Sequence, residues 1–241
     1  MNKVKEFIAT IIIFSCVQHQ AISQVVVKVN DNTISFEENP RLNQVLDSIG
    51  LKQNWYWQSS KLFKLDSEYA EQKRDELLLQ LNAITSDADS VEKLQTQIKG
   101  WKLATHMNAV IDYDLARYHR SSNPLFESGK YELVVTKRPT KLYVFGAVDQ
   151  PTTIEYDNTV CIKNQLKQVN KTESADRNIV YAIQPNGKIR EIPVAYWNHS
   201  CLQVMPGSQI FVPLAEHQWF EQNKRVNQLI AKLAVNRIVI E

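Results

Sequence analysis

The sequence predicts an α+β protein made of two small sheet-and-helix units. Three observations predict it. The order strand, strand, helix opens the chain after residue 23 and recurs after residue 140. Turn-forming residues punctuate short β-rich runs in both halves. Two charged helices interrupt the first half, and a third closes the chain.

The first unit opens with Gln24-Val25-Val26-Val27-Lys28-Val29, whose β-branched residues favour a strand. Asn30-Asp31-Asn32 turns the chain, and residues 33–36 alternate as the return strand. Asn39-Pro40 then predicts a helix start. Asn39 is the N-cap, and Pro40 takes the first helical position, where its missing N–H is not needed. Leu42, Val45, Leu46 and Ile49 share one face, and Gly50 supplies a left-handed end. Residues 55–63 are aromatic and partly extended.

Residues 66–84 are charged, with Tyr69, Leu77, Leu78, Leu81 and Ile84 along one stripe. After a polar break, residues 90–101 carry Val91, Leu94, Ile98 and Trp101 at helical spacing. Two such helices predict an antiparallel hairpin that buries its stripes together or on a neighbour. Residues 110–114 predict a short strand and residues 131–135 another. Lys137-Arg138-Pro139 reads as a hinge.

The second unit repeats the grammar. Residues 141–145 and 152–156 predict strands, and Asp157 or Asn158 caps a helix through Val169. Residues 178–184 and 188–194 are strands joined by Pro185-Asn186-Gly187, a hairpin signal. Pro206-Gly207-Ser208 turns into a last strand at 209–212. Residues 215–236 form a helix with Trp219, Phe220, Val226, Leu229, Ile230 and Leu233 on one side. Glu221, Lys224, Arg225 and Lys232 lie on the other. This helix packs on its own unit or docks on a partner or a membrane surface.

Lys3 and Lys5 precede an apolar run at residues 7–17, and Ala21-Ile22-Ser23 places small residues two apart. This is the pattern of a secretory signal cut after Ser23. The run is shorter than the roughly 20 residues a spanning helix needs. A lipid-modified Cys16 or a retained anchor are the alternatives, and bulky Phe14 suits the lipid signal poorly. Without residues 1–23 the chain keeps 26 basic and 25 acidic residues, a net of about +1. No field remains to attract nucleic acid. Cys161 and Cys201 stay in the mature chain, to pair in an oxidising compartment or to remain as buried thiols.

Signatures of catalysis are scarce. His106, His119, His199 and His217 match no zinc motif, and no Cys-x-x-Cys or Gly-x-Ser-x-Gly occurs. The six glycines are scattered, which disfavours a phosphate-cradling loop. No cofactor is expected. Asp112-x-Asp114 is the one suggestive acidic pair, since on a strand both would project to one face. Trp55, Tyr56 and Trp57 are either core or a platform for stacking sugar rings.

Several stretches together resemble the GfcC family of capsule biosynthesis proteins. They are Asn123-Pro124-Leu125, Gly129-x-Tyr131-x-Leu133, Lys137-Arg138-Pro139 and Val144-Phe145-Gly146-Ala147-Val148. Ile192-Pro193-Val194-Ala195-Tyr196-Trp197-Asn198 and Pro206-Gly207-Ser208-Gln209-Ile210 belong with them. The resemblance implies a periplasmic protein for group 4 (O-antigen) capsule assembly or export, and the scarce catalytic signatures make a non-enzymatic factor the leading expectation. Its partners would be outer-membrane polysaccharide export machinery or the capsule glycan, with membrane association only through the C-terminal helix.

It also implies tandem β-grasp (ubiquitin-like) domains, with periplasmic domains organised as in the Wza export pore. The boundaries would be a signal peptide at 1–23, a first domain at 24–137 with a helical hairpin insert at about 64–104, a second at 138–214, and a C-terminal amphipathic helix and tail at 215–241. The family's pocket arginine falls near residues 105–107, where His106 is the nearest ionisable residue. Arg117, past the expected strand, is the other candidate. His106, Asp112, Asp114 and Arg117 therefore form the candidate pocket. The rival readings are a glycan-processing enzyme using Asp112 and Asp114, and a membrane-surface protein acting through its C-terminal helix.

Overall fold

The computed structural model describes residues 24–49, 54–84, 88–198, 200–216 and 222–239. The expected signal peptide with its cleavage after Ser23, the Gly50 cap, and Trp219, Phe220 and Glu221 lie outside the described residues. The described residues form two five-stranded mixed sheets and six helices. The first sheet takes β1 (Val25–Val29), β2 (Asn32–Phe36), β3 (Lys61–Lys64), β4 (Thr105–Met107) and β5 (Gly129–Val134). Their order is β2-β1-β5-β3-β4, with β1 and β5 parallel at the centre. The inward residues Val25, Val27 and Val29 pack on Leu42, Val45 and Leu46 of α1 (Leu42–Ser48). Met107, Ile111 and Ala116, the last from α4 (Tyr113–Tyr118), join that cluster.

The second sheet takes β6 (Lys141–Gly146), β7 (Thr152–Glu155), β8 (Ile179–Ile183), β9 (Ile189–Pro193) and β10 (Gln209–Val212). Its order is β7-β6-β10-β8-β9, again with the first and last strands parallel. Counted from its own first strand, each sheet therefore runs second, first, fifth, third, fourth.

The two sheets differ in how they are covered. In β1 alternate residues are buried, whereas all four residues of β10 are buried. A strand hidden on both faces needs apolar residues in succession, which Ile210-Phe211-Val212 supplies. One face carries Phe145, Phe211 and Tyr181, with neighbouring ring centroids 5.3 and 5.9 Å apart. Trp101 meets Phe145 edge-on at 5.2 Å.

The cover comes from the first half of the chain. Helices α2 (Tyr69–Asn82) and α3 (Ala88–Lys99) lie between β3 and β4 in sequence. Yet Leu77, Leu81, Leu94 and Ile98 belong to the core of the second sheet. Helix α6 (Gln222–Val235) packs against α2 and β8. The tail after it bonds back to the first half: Ala104 N–H donates to the Asn236 carbonyl, and Ile238 N–H to that of Lys102, both at 2.9 Å.

Three local expectations are corrected. Helix α1 starts at Leu42 with Arg41 as cap, not at Asn39-Pro40. The Pro40 carbonyl accepts from Phe126 N–H and Arg41 bridges to Leu125, which keeps residues 40–41 extended. Residues 110–114 form no strand. Asp112 accepts from Leu115 N–H at 2.9 Å and so caps α4. The helix expected through Val169 begins late, as the single turn α5 (Ile162–Gln165) capped by Cys161. Asp157 instead accepts from the N–H and hydroxyl of Thr159, an Asx-type turn that competes with helix.

Candidate functional site

A groove of about 940 Å³ lies beside α5 on the second half of the chain. Its volume is near the upper end of the roughly 300–1,000 Å³ of ligand clefts. Leu166, Val169 and Val194 contribute apolar lining. Lys163, Lys167, Lys171 and Arg177 surround it, against one carboxylate, Asp149. Among the described residues none of these four cations is in an ion pair. Burial and the nearby Arg177 charge hold the Lys171 pKa below the usual lysine value, with Asp176 opposing.

Two aromatic side chains complete the groove. Tyr196 is 88% and Trp197 63% exposed, although both are large and apolar. Their rings meet edge-on at 5.5 Å. The loop that presents them is fastened at both ends. Val194 and Ala195 N–H donate to the Asn178 carbonyl at 2.7 and 3.2 Å. Cys161 and Cys201 form a disulfide with Cα atoms 4.9 Å apart. Between these points Lys163 Nζ donates to the Asn198 carbonyl. Such a site can stack on an apolar ring face and pair with anions.

A second cavity, about 610 Å³, opens between the two sheets. Arg237 lies on its wall, 4.2 Å from the Tyr143 ring centroid and 5.0 Å from that of Trp101, a cation–π arrangement.

The residues singled out from sequence are not gathered in one pocket. His106 N–H donates to Asn236 Oδ1 at 2.9 Å, and its ring meets Phe63 edge-on at 5.6 Å. Its Nε2 lies 3.3 Å from the Pro185 carbonyl. Met107, the next residue, turns to the opposite face with Ile111 and α4, as strand alternation requires. Arg117 is therefore on the far side of the first sheet from His106, exposed and over the rings of Tyr113 and Tyr118. Asp114 sits exposed in the first turn of α4, where a carboxylate favours the helix N-terminus. Trp55 and Trp57 pack against the first core, so they are no open platform.

Sequence reasoning weighed neither the four groove cations nor Tyr196 and Trp197 as a site. The available signal was an aromatic pair in a loop just before Cys201. Arg237 carried no signal, since its cage is made by residues distant in sequence. Among the described residues no group of three or more His, Cys, Asp or Glu is placed to hold a metal ion. No helix there is long and apolar enough to cross a membrane.

Comparison with known proteins gives matches in both halves. The family model described as capsule biosynthesis GfcC, N-terminal, matches residues 19–138. The one described as capsule biosynthesis GfcC C-terminal matches residues 150–239. The uncharacterized protein YjbG of Escherichia coli (strain K12) is 30% identical over 152 residues, 63% of this chain. That match spans 62% of YjbG's own length.

Proposed function

The chain belongs to the GfcC family of capsule biosynthesis proteins, and from that membership we propose that it serves polysaccharide assembly or export as a periplasmic binding factor, not as an enzyme. The observation that carries the reading is the groove beside α5. It combines exposed aromatic rings with four cations that form no ion pair among the described residues, where Asp149 is the one carboxylate in its lining. Glycoside hydrolysis uses two opposed carboxyl groups, and Asp112 is engaged as a helix cap.

The shared strand order of the two sheets supports reading them as a β-grasp pair, with α6 as the amphipathic helix closing the second. The Cys161–Cys201 bond supports an oxidising compartment. The partners in this reading are the outer-membrane export machinery or the glycan itself.

The test is complementation. A strain lacking the gene should lose surface polysaccharide, and the Asp112→Asn, Asp114→Asn double variant should restore it fully. Asn caps helices as well as Asp does, so the variant keeps α4. General acid–base catalysis contributes on the order of 10²-fold or more. A double variant that is stable yet restores nothing would overturn the non-enzymatic reading.

A further inference from the structure

We propose that the groove beside α5 is a binding site for an acidic polysaccharide, one whose sugar rings carry carboxylate groups. The inference rests on the function proposed above and adds the chemical class of the glycan. Four cations against one carboxylate select an anion. Four separate cations on one groove suit charges repeated along a chain better than one compact phosphate. Lys167 and Arg177 are exposed, and Lys171 is half-buried beside Arg177, where a bound carboxylate would relieve their repulsion.

The aromatic pair argues for sugar. Folded proteins hide large rings where they can, yet Tyr196 and Trp197 stand out from the surface. The loop that carries them is held by a disulfide, a lysine-to-carbonyl bond and two backbone bonds to Asn178. A platform fixed before binding loses little freedom when a ligand arrives. Pyranose rings offer flat C–H faces to such a platform while their carboxylates reach the cations.

A membrane surface also attracts aromatic and basic side chains. Here, however, the rings share one groove with four cations and the buried Leu166 and Val169, and the vesicle arm of the experiment separates a glycan from a bilayer.

The experiment uses the mature chain, residues 24–241, with its disulfide intact. Binding is read by calorimetry for every variant. The probes are oligogalacturonate, the uncharged maltooligosaccharide of equal length, dextran sulfate, and phosphatidylglycerol vesicles. Oligogalacturonate should bind at least tenfold more tightly than the neutral oligosaccharide. Trp197→Ala and the Lys167→Ala, Arg177→Ala pair should each weaken it about tenfold or more. All three side chains are exposed, so unchanged melting temperatures are expected.

Failure of oligogalacturonate to bind overturns the proposal. So does binding that Trp197→Ala leaves unchanged, or dextran sulfate binding as tightly and as insensitively, since either would mean bare charge attraction. Preference for the vesicles overturns it in favour of a membrane site. The proposed function stands or falls separately. If the gene-deleted strain loses its polysaccharide while no acidic glycan binds, only the groove assignment fails. If the strain keeps its polysaccharide while the groove binds, only the function fails.

Discussion

The side-chain amide of Gln97 grips both backbone groups of Gly146: Nε2 donates to its carbonyl and Oε1 accepts from its N–H, each at 3.0 Å. This pair ties α3 to the end of β6 across the two halves of the sequence. Gly146 has φ of +107°, and a side chain there would strike the Val212 carbonyl and the Phe211 ring. Gln97→Ala leaves these backbone groups without the amide and should cost about 1–3 kcal/mol. Gln97→Glu should also destabilise, because it sets a carboxylate against a carbonyl. Guanidinium unfolding of both variants checks this, and an unchanged midpoint would show that the clamp contributes nothing.

Glu132 presents an asymmetric case. Its side chain is 3% exposed and faces Lys28 and Lys102 at 3.4 and 2.8 Å, whose own side chains are 40% and 50% exposed. Removing the lysines strands a buried carboxylate, whereas removing the carboxylate frees two lysines that already reach water. The Lys28→Met, Lys102→Met pair should therefore cost about 3 kcal/mol, and Glu132→Leu about 1 kcal/mol or less. Urea unfolding at equal protein concentration measures both. The reverse ranking would contradict the argument.

The disulfide joins residues 40 apart in sequence. Closing a loop of that length restricts the unfolded chain by about 4 kcal/mol on the chain-entropy model, an upper figure for real proteins. Reduction and the Cys161→Ser, Cys201→Ser pair should lower the melting temperature alike. They should also loosen the Tyr196–Trp197 loop, read as a loss of edge-to-face coupling in the aromatic circular dichroism.

Burial lowers the His106 pKa below its ordinary 6.5, Lys61 lowers it further, and the Pro185 carbonyl opposes both. A folded-state pKa below the unfolded value gives stability that is full above about pH 6.5 and is lost as pH falls through the folded pKa. Stability should thus fall as pH drops below about 6.5, and that of His106→Gln should fall less. Equal losses in the two proteins would show that another group is responsible.

Periodicity revealed most of the fold, because apolar stripes and turn residues act locally. The hairpin Pro185-Asn186-Gly187 and the stripe Val91, Leu94, Ile98 fall where they were expected. Elements decided by rival local bonds did not. Asp157 spends its carboxylate on Thr159, Asp112 caps a helix, and Arg41 is drawn into a bridge with Leu125. The candidate site was least legible. Lys163, Lys171, Arg177 and Trp197 are ordinary residues one at a time, and only the folded second half sets them around one groove.

The placement of α2 and α3 has a consequence for severed chains. The lid on the aromatic face of the second sheet is encoded ahead of that sheet, between two strands of the other one. Fragments cut at the Lys137-Arg138-Pro139 link would each carry an orphaned surface, Leu94 and Ile98 on one and Phe145 and Phe211 on the other. Co-expressed, the two pieces should reassociate without a covalent bond; expressed singly, each should clump. A newborn chain faces the same situation, since its first half must wait, apolar hairpin bared, for residues still to be made.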